Sequence, residues 1–238
     1  MLSPNGIKAI LFDLDGTLRH NQPQGEEVFF NYALSLDLPV NEDDHLRGVR
    51  WEHYYWASSP ELNADLTIYS EDNFWVNYAR RQLIAYGIEP KQAEQLAPSF
   101  SQHMSEDYKP FSVARPETHA VLSQLKEAGF KLGVVSNREH SFEEDLKHIG
   151  IESYFEFSLA AGEVQSYKPA RGIFEAALRC VDVSAHEAMY VGDNYFADVV
   201  GARGAGLQPV LYDPSRIYPD ADCPVIVSLD GLLEFFEK

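Results

Sequence analysis

An apolar run that stops on an aspartate constrains this chain of 238 residues more than any other feature. Residues 7–12 read IKAILF and are followed by DLDGTL at 13–18. A short run without polar alternation is the pattern of a strand covered on both faces, as in a parallel sheet. Three further runs are of the same kind, KLGVV at 131–135, AMYV at 188–191 and QPVLY at 208–212, with a weaker one at 155–160. Between them, apolar spacing predicts helices over 116–128, closed by Gly129, over 141–148, and over 171–181 just after Pro169. Strand and helix thus alternate from about residue 116 onward. That alternation predicts an α/β fold built on a doubly wound parallel sheet with right-handed crossovers.

Residues 19–109 break the rhythm. They hold all three tryptophans, Trp51, Trp56 and Trp75, and helix-like segments such as 74–86, with no buried strand run. The expected organisation is an α/β core made of 1–18 and 110–238, interrupted by a helical insertion over 19–109. Within the insertion, 41–44 and 58–60 read as loops. The aromatic cluster Trp51, His53, Tyr54, Tyr55 and Trp56 is expected to pack mainly inside it. The GARGAG segment at 201–206 follows a predicted helix and lacks GxGxxG spacing, so helix packing and a turn are expected there, not a dinucleotide loop.

Composition removes several function classes. A net charge of −18 without a Lys/Arg cluster argues against nucleic-acid binding. Two cysteines, Cys180 and Cys223, form neither a disulfide framework nor a zinc spacing, which predicts a reducing, cytoplasmic setting. The eight histidines show no HExxH arrangement. The N-terminal apolar run is short and ends in acids, so neither a signal peptide nor a membrane span is expected.

Polar groups close three of the predicted strands. Asp13, Asp15 and Thr17 follow the first, Ser136 and Asn137 the second, and Asp193, Asn194 and Asp198 a later one, with Lys168 just ahead of a helix. Ligands of open α/β sheets bind beyond the carboxyl ends of strands, so these groups should converge. Together they suit phosphoryl transfer. A carboxylate repels a phosphate monoester until a cation intervenes, and Mg²⁺, with its preference for oxygen ligands, fits Asp13 and Asp193. Lys168 adds fixed positive charge. Ser136, Asn137 and Thr17 supply polar contacts for the phosphate or its loop. Asp13 would attack, while Asp15 would protonate the leaving group and later deprotonate water. Arg19, His20 and Asn21 follow the nucleophile loop directly and are candidate substrate contacts.

The set DLDGTL at 13–18, Ser136-Asn137, Lys168-Pro169 and GDNYFAD at 192–198 resembles the haloacid dehalogenase-like superfamily. That resemblance implies a Rossmann-like core with a helical cap inserted after the first motif. It also implies that the backbone carbonyl of Asp15 binds the metal, and that Asn194 and Asp198 support the metal or hold Lys168. The implied activity is Mg²⁺-dependent hydrolysis of a small phosphorylated metabolite through an aspartyl-phosphate. A phosphomutase is the nearest alternative. A 2-haloacid dehalogenase is disfavoured because such enzymes lack an acid at the position of Asp15. A catalytically silent binding module is disfavoured because no motif residue is lost. Neither the substrate nor the oligomeric state follows from the sequence.

Overall fold

A computed structural model describes residues 6–236. Residues 1–5, part of the N-terminal stretch read above as neither signal peptide nor span, and residues 237–238 lie outside the described residues. In chain order the elements are β1 Ala9–Phe12, β2 Arg19–Gln22, α1 Gly25–Ser35, α2 Glu42–Trp56, α3 Pro60–Ile68, α4 Glu71–Ala85, α5 Pro90–Asp107, β3 Phe111–Ala114 and α6 Thr118–Glu127. There follow β4 Lys131–Ser136, α7 Glu143–His148, β5 Phe157–Ala160, α8 Ala161–Val164, α9 Arg171–Val181, β6 Ala188–Gly192, α10 Val200–Ala205, β7 Gln208–Tyr212 and β8 Val225–Ile226.

The chain divides into two compact units. One comprises the described residues up to His20 and those from Ser112 onward; the other is Asn21–Phe111. The first is the α/β fold that the alternating pattern predicts. Its six strands run in the order β5-β4-β1-β6-β7-β8, with parallel pairing throughout. Strand β1 lies between β4 and β6, in register Ala9↔Lys131 and Ala9↔Ala188. Its four residues alternate faces, as strand geometry requires. Ile10 and Phe12 join one apolar cluster with Val134 and Val191, while Ala9 and Leu11 join another with Phe174 and Tyr190. Both faces are therefore dry, which is why the sequence shows a continuous apolar run.

The second unit is helical, α1 to α5, and has its own core around Phe29, Leu83, Tyr86 and Phe100. A satellite cluster gathers Tyr55, Leu62, Phe74 and Tyr78, with Trp51 and Trp56 packed against it. Trp51, Tyr55 and Trp56 thus pack inside the unit, as expected of most of the run, while Tyr54 is exposed. One reading needs correction. Residues 41–44 are not a loop: Asn41 caps α2, accepting from the Asp43 and Asp44 amides, and Asp44 returns a bond to the Asn41 N–H. The polar residues that suggested a loop are a helix start. The stretch from residue 19 holds no buried strand run, but β2 pairs with β3 as a short ribbon where the chain leaves and rejoins the α/β unit. Its residues RHNQ are too polar to register as a buried run.

Among the described residues no helix is long and apolar enough to cross a membrane. The GARGAG segment forms α10 and ends with Gly206 in the left-handed region. A Cβ on Gly201 would lie 2.7 Å from the Phe174 ring, so close helix packing explains that glycine.

Candidate active site

Asp13 extends β1 by one residue, its N–H donating to the Val191 carbonyl at 2.9 Å. By strand alternation it takes the face of Ala9 and Leu11. The chain then turns back sharply: the Gly16 N–H donates to the Arg19 carbonyl at 2.8 Å, and Gly16 sits at φ +91°. A Cβ there would lie 2.2 Å from the Asp193 carboxylate, so two separate reasons require glycine.

Lys168 reaches the same place from the loop before α9, and its side chain is buried. Its ammonium donates to Asp13 Oδ1 at 2.6 Å, Asp198 Oδ1 at 2.7 Å and the Tyr190 hydroxyl at 3.1 Å. Tyr190 in turn donates to the Val135 carbonyl at 3.0 Å. Asn137 fixes the backbone of Lys168 with two reciprocal bonds, accepting from its N–H at 2.6 Å and donating to its carbonyl at 2.9 Å. Asn137 therefore positions the lysine, and Ser136 lies buried at the end of β4 beside it in sequence.

The end of β6 supplies the remaining acids. The Asp193 N–H donates to Thr17 Oγ1 at 3.0 Å, and Thr17 Oγ1 lies 3.1 Å from Asp193 Oδ1. This cross-tie holds the loop after β1 against the loop after β6. A π-helical turn, Tyr195–Val199, then brings Asp198 back, where its Oδ2 accepts from the Asn194 N–H at 2.9 Å. The Asn194 side chain caps that turn by accepting from the Phe196 and Ala197 amides, both at 3.0 Å. Asp13, Asp193 and Asp198 each offer a carboxylate oxygen within 4.8 Å of the others.

Electrostatics make this cluster unusual. Three carboxylates face one ammonium. Burial pushes Asp13 up to about 7 against the pull of Lys168, with Asp198 adding to the rise. Burial, then Asp13 and Asp198, hold Asp193 well above the carboxylate range. Burial alone would lower Lys168, but Asp13 and Asp198 outweigh it and keep the ammonium charged. With all three carboxylates ionised, the site would carry more negative charge than its one ammonium neutralises, and the raised Asp13 and Asp193 express that cost. Hard oxygen donors in that arrangement are the donor set that a divalent cation such as Mg²⁺ prefers.

Asp15 points elsewhere. Its carboxylate is gripped by Arg19, 2.7 Å away, and by Arg138 through two bonds of 2.8 and 2.9 Å. Arg138 also pairs with Asp145. Sequence reasoning missed Arg138, although it stands directly after Asn137, and missed Tyr190, which lies hidden in an apolar strand. Of the three candidate contacts after the loop, Arg19 engages Asp15. His20 is buried, its Nε2 lying 3.0 Å from the Thr17 carbonyl and its Nδ1 3.4 Å from Arg115. Burial, reinforced by Arg115, pushes it down to about 4. Asn21 belongs to the helical unit and lines a cavity there.

The profile of the haloacid dehalogenase-like hydrolases matches residues 7–206. The ribulose-1,5-bisphosphate 5-phosphatase of Halopiger xanaduensis is 28% identical over 87% of this chain and 85% of its own length. The phosphoserine phosphatase of Thermus thermophilus is 31% identical over 97% of this chain and 98% of its own. Among solved structures, a 2-haloacid dehalogenase from Pseudomonas syringae superposes with a TM-score of 0.55 and 26% identity, covering 96% of this chain and 97% of that one.

Proposed function

This chain belongs to the haloacid dehalogenase-like hydrolases, and from that premise we propose that it is a Mg²⁺-dependent phosphatase of small phosphorylated metabolites with Asp13 as its nucleophile. The observation that carries the reading is the buried ion cluster, Lys168 held 2.6 Å from Asp13 and 2.7 Å from Asp198, with Asp193 alongside. The phosphatase-named relatives in Halopiger and Thermus support the same class of reaction.

Asp13, Asp193 and the backbone carbonyl of Asp15 would hold the metal, with Asp198 and Asn194 in support. When bound, the metal neutralises excess carboxylate charge and draws electron density from the phosphoryl oxygens. The remaining work falls to the chain. Lys168 keeps the attacking oxygen of Asp13 oriented and offsets its charge. Ser136 lies at the end of β4, where a hydroxyl can hold a phosphoryl oxygen. Asp13 forms a bond to phosphorus as the ester oxygen departs with its electron pair, and Asp15 gives that oxygen a proton. Asp15 then takes a proton from the water that cleaves the acyl phosphate, which releases inorganic phosphate, frees the Asp13 carboxylate and returns Asp15 to its protonated form. Proton transfer at Asp15 requires the grip of Arg19 and Arg138 to loosen. The α/β unit supplies the chemistry in this reading.

The test uses purified protein and a generic aryl phosphate. Hydrolysis should require Mg²⁺ and cease with EDTA, and Asp13→Asn should lower kcat on the order of a thousandfold or more. Full activity in Asp13→Asn would falsify the nucleophile assignment. The P. syringae structural relative raises a second reading, dehalogenation. Metal-independent halide release from 2-chloropropionate would favour it over the phosphatase.

A further inference from the structure

The helical unit carries a half-open cavity of about 760 Å³, within the range of small-ligand sites. Its lining combines two kinds of group. One wall is aromatic: the Trp56 ring lies 5.5 Å from that of Tyr78 and 6.3 Å from that of Trp75, and the Trp75 and Tyr78 rings are 5.8 Å apart. The other contribution is acidic, from Glu26 on α1 and Glu52 on α2. Among the described lining residues there is no lysine, arginine or histidine.

Carboxylates in a largely apolar cavity are costly unless something balances them. Burial raises Glu52 to about 7, with the charge of Glu26 adding to the rise, and burial raises Glu26 as well. The Tyr78 hydroxyl, which accepts from Trp56 Nε1 at 3.2 Å, hydrogen-bonds the Glu52 carboxyl and ties the acid to the aromatic wall. Two oxygen-bearing groups beside indole and phenol rings are a poor match for a strongly hydrated metal ion. They are a good match for a soft organic cation, which gains from ring faces and carboxylates together.

We propose that this cavity binds a small organic ammonium ion, primary or methylated, with its charged head against Glu52 and Glu26 and its carbon substituents on Trp56 and Tyr78. The site belongs to the helical unit alone and does not depend on the phosphatase reading.

Calorimetric titration of the full chain at pH 8 tests it, with choline and ethanolamine as probes. The uncharged carbon isostere of choline and MgCl₂ serve as comparisons. At least one ammonium probe should bind saturably, and the isostere at least about tenfold more weakly. Glu52→Gln should weaken the cation at least about tenfold while giving an intact thermal melt. Absence of saturable binding by both ammonium probes, equal affinity for the isostere, or undiminished affinity in Glu52→Gln would each overturn the proposal. So would Mg²⁺ heat that disappears in Glu52→Gln. Should that variant fail to fold, the comparison of cation with isostere on the wild-type protein decides alone.

Discussion

Lys168 spends its charge on two aspartates and its backbone on Asn137, and the balance it keeps has a measurable cost if removed. Lys168→Met leaves Asp13 and Asp198 buried together without a cation. Breaking a buried pair from one side typically costs about 3–5 kcal/mol, because the stranded charge stays in the interior. Denaturant titration of Lys168→Met should show a loss of that order in the α/β unit. The double variant Lys168→Met/Asp198→Asn should recover part of it, since one of the stranded charges is then gone. A single variant as stable as wild type would mean that the cluster is solvated in a way its burial does not suggest. At this scale the sequence was informative about which residues matter and silent about whom they touch. Asp13, Lys168, Asp193 and Asp198 each stand beside a turn signal or a strand end. Arg138 and Tyr190 carry no such signal, because a surface arginine and a strand tyrosine are common without any role.

At the scale of elements, the loops that end β1 and β6 are fitted to each other with no spare room. Gly192, the last residue of β6, would carry a Cβ 2.3 Å from the Asp198 carboxylate, whereas nothing lies within 4 Å of a Cβ placed on Gly204 in α10. Gly192→Ala should therefore displace Asp198, lowering kcat by about ten- to a hundredfold and stability by about 1–3 kcal/mol. Gly204→Ala, in an exposed helical position, should be neutral or stabilise by up to about 1 kcal/mol. Equal effects from the two would show that the π-helical turn yields easily. The runs that became β1, β4, β6 and β7 were legible because burial on both faces erases polar alternation. Strands β2, β3 and β8 were not, since they are short and partly exposed, and their pairing is set by the surrounding chain. The α2 start was misread for a related reason: Asn and Asp favour caps and loops alike, and only the helix behind them decides.

For the molecule as a whole, each unit contains a group that ties its stability to pH, and the two act in opposite directions. His20 in the α/β unit is pushed down to about 4 from an ordinary 6.5. The unfolded chain takes up that proton first, so the stability His20 supports is complete above pH 6.5 and is lost as pH falls toward 4. Glu52 in the helical unit is raised to about 7 from 4.5. There the folded state holds the proton longer, so its contribution is complete below pH 4.5 and is lost as pH rises through 7. Thermal melts at pH 5 and pH 8 should show the helical unit weaker at the higher pH by about 1–3 kcal/mol, a difference Glu52→Gln should remove. An identical pH response in the variant would assign the effect to another group.

The strand order has a consequence for how the protein is made. β1 precedes every other described element in the chain, yet its place is between β4 and β6, which begin at Lys131 and Ala188. Strand β1 therefore emerges well before either neighbour, with an apolar face on each side. The helical unit, by contrast, is one uninterrupted stretch with its own core and has everything it needs once Phe111 has emerged. Nascent chains are accordingly most exposed to misassembly between the appearance of β1 and that of β6. Protection of that interval, by chaperones or by pauses in elongation, should therefore raise the yield of folded protein.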